Sequence, residues 1–69
     1  MHRVSVHSRA IASVGYDRAT NVLELELAEG EVYQYFAVPR RVHRELLAAD
    51  SIGRYFLSEI RGRYGYRRM

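Results

Sequence analysis

The segment Val22–Leu27 constrains the fold most, because leucine and glutamate alternate along it. A period of two is that of a β-strand, and it places three leucines on one face and two glutamates on the other. The leucine face must be covered by another layer of the protein, while the glutamate face points to solvent. The sequence therefore predicts a sheet that is packed on one side only.

Further strand signals flank this segment. Ile11–Tyr16 is rich in β-forming residues and ends at the turn-like stretch 17–21, and Glu31–Phe36 follows the short connection Ala28–Gly30. Two strands joined by a short loop that contains glycine form a hairpin. Val4–Val6 is a candidate fourth strand. We expect an antiparallel meander of three to four strands.

The loop before Glu31 determines which face Tyr33 and Tyr35 occupy. If Gly30 takes the left-handed position of a three-residue loop, both tyrosines lie opposite leucines, on the core face. A two-residue turn at the same place would move both rings to the glutamate face. We favour the three-residue loop, because a glycine that closes a type I turn is common.

The second half of the chain is typical of helices. Pro39 suits a helix start, and apolar residues then follow at helical spacing: Val42, Leu46 and Leu47. Ser51 is a candidate N-cap for a second helix, whose apolar residues are Ile52, Tyr55, Phe56 and Ile60. The predicted fold is α+β: a single domain over residues 1–69, with a small antiparallel β-meander followed by two helices packed on one face.

Charge is unevenly distributed. The chain has 69 residues and a net charge of +3, with arginine as its only basic residue apart from histidine. Residues 1–39 carry a net −2 and residues 40–69 a net +5. Such asymmetry is a recognised indication of an anionic partner, but the charge alone slightly favours a solvated surface in an arginine-rich chain. Arg40, Arg41 and Arg44 on the first helix would extend the basic surface.

The end of the chain interleaves arginine with tyrosine, a mixture that suits single-stranded RNA. Guanidinium groups neutralise phosphates, and tyrosine rings stack on bases. The candidate nucleic-acid-binding residues are Arg61, Arg63, Tyr64, Tyr66, Arg67 and Arg68, with Tyr33 and Tyr35 in the hairpin. The competing interpretation is that these tyrosines only pack, either in a terminal strand or as anchors of the tail.

Catalysis has no support in the sequence. The three histidines lack metal-ligand spacing, there is no cysteine, and no glycine-rich phosphate loop or nucleophile motif occurs. We therefore expect no enzyme activity, cofactor, metal site or small-molecule substrate.

No apolar run approaches the about 20 residues of a membrane span, and the first residues do not form a secretory signal. These features predict a cytoplasmic protein without membrane association.

The ordered set of motifs resembles the KTSC domain family over nearly the whole chain, from about Ser5 to Arg68. The residues that carry the resemblance are Ser8, Ile11, Gly15-Tyr16-Asp17, Gly30, Tyr33-Gln34-Tyr35, Val38-Pro39, Leu46, Ser51, Gly53, Tyr55-Phe56, Ile60-Arg61 and Tyr66-Arg67-Arg68. Tyr33 and Tyr35 match the central YxY motif of that family.

The resemblance implies a stand-alone bacterial protein of uncharacterised function. The family also occurs at the C-terminus of some lysyl-tRNA synthetases, and this attachment implies RNA as a partner. Leu57 stands where the family pattern would have a polar residue. The sequence leaves two interpretations open: an RNA-binding module for tRNA or single-stranded RNA, or a protein-interaction module or homodimer without nucleic-acid binding.

Overall fold

The computed structural model describes residues 1–69 as a five-stranded antiparallel meander with its helices inserted before the last strand. The strands follow chain order across the sheet: β1 Arg3–Ser5, β2 Ile11–Asp17, β3 Val22–Leu27, β4 Val32–Tyr35 and β5 Tyr66–Arg68. Between β4 and β5 the chain forms helix α1, Arg40–Ala48, and helix α2, Ile52–Tyr55, which continues as a π-helical turn, Phe56–Ile60.

The β3–β4 hairpin has the register that the sequence predicts for a three-residue loop. The Leu27 N–H donates to the Glu31 carbonyl oxygen at 2.7 Å, and Gly30 has φ +102°, a conformation that side chains disfavour. Leu25 pairs with Tyr33 across the two strands, and so Tyr33 faces the core. The alternative of a two-residue turn is wrong.

The core lies between one face of the sheet and the helices. Its ten buried members come from β2, β3, β4, the β4–α1 connection, α1 and the π-helical turn: Ile11, Val14, Leu23, Leu25, Tyr35, Val38, Val42, Leu46, Phe56 and Ile60. Apolar burial of this kind is the main favourable term in the folding of a small domain. The prediction that two helices cover one face of the sheet is confirmed.

The helix starts follow their sequence signals. Pro39 has extended backbone angles and immediately precedes α1. The Ser51 hydroxyl accepts a hydrogen bond from the Arg54 N–H at 3.2 Å and so caps α2. Of the apolar residues of α1, Val42 and Leu46 are buried, whereas Leu47 is 39% exposed and does not belong to the core.

The predicted number of strands, three to four, is wrong, because the last residues add a fifth. Tyr66 pairs with Tyr35 and Arg68 with Tyr33, which makes β5 an edge strand. The predicted strand near the N-terminus exists, as β1 at Arg3–Ser5. The sequence left a terminal strand open at the end of the chain as one alternative, because three residues without an apolar repeat do not decide it. The strand β5 forms because β4 offers it free backbone groups.

The opposite face of the sheet carries a polar network. Glu24 accepts hydrogen bonds from the Arg3 guanidinium at 2.7 Å and from the Gln34 amide at 2.8 Å. On the neighbouring strand pair, β2 and β3, the Ser13 hydroxyl donates to Glu26 at 2.8 Å.

None of the helices combines the length and the hydropathy that crossing a membrane requires.

Candidate nucleic-acid interface

The π-helical turn determines where Arg61 points. The Arg61 N–H donates to the Phe56 carbonyl oxygen at 2.9 Å, a hydrogen bond that spans five residues. On a regular α-helix two residues at this spacing would lie about 140° apart around the axis. Here Phe56 and Arg61 both line one cleft at the β4–β5 edge of the core face. π-helical turns are frequent at functional sites.

This cleft, called the aromatic cleft below, has a volume of about 280 Å³. It is lined by Leu27, Glu31, Tyr33, Tyr35, Phe56, Arg61 and Tyr66. The Tyr66 ring lies 5.8 Å from that of Tyr33 and 5.5 Å from that of Tyr35, and Tyr35 packs edge-on against Phe56 at 5.6 Å. These centroid distances are typical of aromatic packing. Four rings therefore form a continuous aromatic wall.

Exposure differs along this wall. Tyr35 is 4% exposed and belongs to the core, Tyr33 is half-buried, and Tyr66 is 61% exposed. Burial raises the pKa of Tyr35 above its ordinary value, while the charge of Arg61 acts in the opposite direction. The hydroxyl of Tyr35 is therefore a neutral hydrogen-bonding group at physiological pH. The accessible ring surface of the wall belongs to Tyr66.

The electrostatics of the cleft depend on Arg61. Glu31 forms an ion pair with Arg68 at the rim, so the only carboxylate of the cleft is neutralised. Arg61 is exposed and forms neither an ion pair nor a side-chain hydrogen bond. The aromatic cleft therefore combines one free guanidinium group with exposed ring surface.

The structure brings together five of the eight predicted site residues: Arg61, Tyr33, Tyr35 and Tyr66 in the cleft and Arg68 at its rim. The remaining three lie elsewhere. Arg67 is on the opposite face of the sheet, 3.4 Å from Gln34 Oε1. Arg63 donates from Nε to the Ser58 carbonyl oxygen at 3.2 Å, and Tyr64 packs half-buried against the core.

A second cleft, not foreseen from the sequence, lies between α1 and the β2–β3 turn. It is lined by Tyr16, Arg18, Arg40, His43 and Arg44, and it is called the arginine cleft below. Its helical members follow the i, i+3, i+4 spacing of one helix face, which the sequence could have revealed. Arg18 could not be foreseen in the same way, because only the fold brings the β2–β3 turn next to α1. Arg41, by contrast, pairs with Glu45 at 3.1 Å.

The fold and the aromatic cleft define a class: small α+β domains in which a five-stranded meander presents tyrosines beside a free arginine. The family model that matches the chain is that of the KTSC domain, over residues 7–64. The chain belongs to the KTSC domain family, as its resemblance in sequence implied.

Known proteins support this membership. An uncharacterised protein of Stutzerimonas stutzeri is 46% identical over 56 residues, covering 81% of this chain and 79% of that protein. A crystal structure of a KTSC domain protein from Yersinia pestis has a TM-score of 0.93 and 38% identity, covering 99% of this chain and 96% of the other. A lysine–tRNA ligase of Trichormus variabilis is 41% identical over 54 residues, which are 78% of this chain and 10% of the ligase.

Proposed function

We propose that the protein is a non-catalytic, cytoplasmic RNA-binding module that uses the aromatic cleft to hold single-stranded RNA, including single-stranded parts of tRNA. The observation that carries the proposal is the position of Arg61. This free guanidinium group stands beside the accessible ring of Tyr66. In the proposed complex a base stacks on Tyr66, and Arg61 contacts the adjacent phosphate.

The chemistry of the cleft favours RNA over an apolar ligand. Tyrosine presents a π-face that accepts any base, and base stacking on one aromatic side chain contributes about 1–3 kcal/mol. The Tyr35 hydroxyl forms no hydrogen bond to a protein group and remains available to a base edge or a 2′-hydroxyl. Arg68 is partly satisfied by Glu31, and we assign it a secondary role in phosphate binding.

The relation to lysine–tRNA ligases supports an RNA partner by association. Proteins of that name act on tRNA, and this chain corresponds to 10% of the ligase length in Trichormus variabilis and in Nostoc punctiforme. A domain of this size attached to such a ligase can serve to hold RNA.

The test is a fluorescence anisotropy titration of a short unstructured RNA at two salt concentrations. We expect binding that weakens as salt rises, because phosphate contacts release counterions. Tyr66→Ala should weaken binding about tenfold through lost stacking, whereas Tyr66→Phe should retain it. Arg61→Ala should weaken binding and reduce the slope of log K against log salt by about 0.7.

Arg54→Ala is the matched control. Arg54 is exposed on α2, and its side chain has no partner within the chain. Replacing Arg54 with alanine changes the net charge by the same amount as replacing Arg61. Binding that is absent at low salt would contradict the proposal. So would an equal loss of affinity in the Arg54→Ala and Arg61→Ala variants, because net charge alone would then explain it.

A second candidate function is self-association through the β1 side of the domain. Leu57 is 55% exposed and lies beside the β1–β2 connection, and Val4 in the edge strand β1 is 48% exposed. An unpaired edge strand next to apolar side chains is a surface on which a second copy can pair. This homodimer would leave the aromatic cleft, on the opposite edge, uncovered.

A further inference from the structure

The arginine cleft shares no residue with the aromatic cleft. Its volume is about 360 Å³, and its lining contains three arginines and a histidine but no carboxylate. Arg40 and Arg44 come from successive turns of α1, and Arg18 reaches the cleft from the β2–β3 turn. Two elements that are distant in sequence therefore direct basic side chains to one concave surface.

The three guanidinium groups have no partner within the protein. The ion pairs of the chain involve Arg3, Arg41 and Arg68, and no side-chain hydrogen bond is made by Arg18, Arg40 or Arg44. Like charges gathered around one concave surface repel each other, and a bound anion removes this cost. Two acidic residues adjoin these arginines in sequence. Asp17 accepts a hydrogen bond from the Ala19 N–H at 2.9 Å, and Glu45 is paired with Arg41 at 3.1 Å.

The base of the arginine cleft is held in place by several contacts. The Tyr16 hydroxyl donates to the Val38 carbonyl oxygen at 2.5 Å, and the Val38 N–H donates to the Asn21 carbonyl oxygen at 2.9 Å. The Tyr16 and His43 rings stack with centroids 4.8 Å apart and planes within 8°. The β2–β3 turn, the β4–α1 connection and α1 are therefore fixed relative to one another.

We propose that the arginine cleft binds a phosphate group. The planar guanidinium fork matches two phosphate oxygens at once, and arginine is favoured wherever phosphate is recognised in this way. Three such groups, with no carboxylate among them, suit the double negative charge of a phosphate monoester or adjacent phosphodiesters of one strand. This inference goes beyond the proposed RNA binding and does not depend on it.

His43 provides a reporter of occupancy inside the cleft. Burial lowers the pKa of His43 below its ordinary value, so the free protein holds a neutral imidazole at pH 7. The charged groups that face it are Arg40 and Arg44 on its own helix and Arg18 on the β2–β3 turn, with Tyr16 stacked on the ring. A bound phosphate stabilises the imidazolium form and raises this pKa.

The test is an NMR titration with inorganic phosphate, in a phosphate-free buffer held at constant ionic strength with chloride. We expect saturable shifts of the Arg18, Arg40 and His43 amide signals, together with a rise in the His43 pKa. Arg18→Gln and Arg44→Gln should each weaken phosphate binding about tenfold, the effect of losing one charge-assisted hydrogen bond. Arg54→Gln is the control with the same charge change and should bind as the unsubstituted protein does.

Two further titrations distinguish the source of the phosphate. Adenosine monophosphate tests a monoester, and an RNA oligonucleotide without terminal phosphates tests diesters. Saturable shifts at the arginine cleft with either ligand support the proposal and identify the source. Shifts that chloride reproduces, or equal weakening by Arg54→Gln and Arg44→Gln, would overturn it. If phosphate binds here but Tyr66→Ala leaves RNA binding unchanged, the RNA proposal fails while this one stands.

Discussion

Glu24 connects the strands of the sheet on the face that the sequence pattern assigned to solvent. It is 6% exposed, and it accepts hydrogen bonds from Arg3 on β1 and Gln34 on β4. The alternation of leucine and glutamate predicts the face but not its burial, because the covering side chains come from other strands. A charge in such a place is stabilising only while its partners remain.

Replacing Glu24 with alanine should lower the free energy of unfolding by about 1–3 kcal/mol, because Arg3 and Gln34 would lose a shared acceptor in a poorly hydrated place. Urea denaturation followed by circular dichroism measures the change. Glu29→Ala is the control, since Glu29 is exposed in the β3–β4 loop and has no partner. An equal effect of both variants would show that the network on this face contributes nothing specific.

His43 should make stability fall as the pH decreases. Its pKa is lowered by burial in the folded state, so the unfolded chain binds more protons below the ordinary value of about 6.5. Unfolding free energy should be level above that value and decrease from about pH 6.5 downward. Glu45, whose pKa is lowered by hydrogen bonds from Tyr55 and Arg41, adds a further loss only below about pH 4.5.

Unfolding free energies of the His43→Phe variant, measured from pH 8 to pH 5 without phosphate, check the assignment. Phenylalanine keeps a flat ring against Tyr16 but cannot titrate. We expect the decline between about pH 6.5 and pH 5 to become smaller in this variant. His7→Gln, on an exposed side chain, should retain the decline. The opposite pattern would assign the pH dependence to another group.

Among the elements, the β3–β4 hairpin could be predicted and the π-helical turn could not. The position of Gly30 and the alternation of β3 suffice to fix the register of Tyr33 and Tyr35. The spacing from Ile52 to Ile60 is equally consistent with a regular α-helix, on which Arg61 would point away from Phe56. The extra residue in the turn depends on packing of Phe56 and Ile60 in the core.

A side chain at Gly30, in the loop of this hairpin, should lower the stability of the protein. The Gly30 φ of +102° is unfavourable for alanine, although a Cβ atom there would meet no neighbour. Gly30→Ala should therefore lower the unfolding free energy by about 1–3 kcal/mol through backbone strain alone. Gly65→Ala also adds a methyl group in open space but at a residue without positive φ, and it should change stability by less than about 0.5 kcal/mol.

At the scale of the whole molecule, the sequence predicted the α+β fold class but left open whether the arginine- and tyrosine-rich end of the chain is a terminal strand or a packed tail. Residues 66–68 form a strand, and a strand sends alternate side chains to opposite faces. The Arg67 side chain therefore lies on the opposite face of the sheet from those of Tyr66 and Arg68. Local composition identifies the right residue types, whereas pairing with β4 decides which of them meet.

Self-association can be tested on the same scale by sedimentation velocity over a hundredfold range of concentration. If β1 and Leu57 form a dimer interface, the sedimentation coefficient should rise with concentration, and Leu57→Ser should return the protein to a monomer. Leu47→Ser, which changes an exposed leucine on α1, is the control. A monomer at every concentration would exclude this dimer and leave the RNA proposal untouched.

The meander order places the two ends of the chain on opposite edges of the sheet, because β1 and β5 are its first and last strands. At a strand spacing of about 4.8 Å, four spacings separate them by about 19 Å. A purification tag or surface linker fused after Met69 would emerge beside the aromatic cleft and compete for access to it. The same fusion before Met1 would leave that cleft free, so immobilised binding assays should attach the protein by its N-terminus.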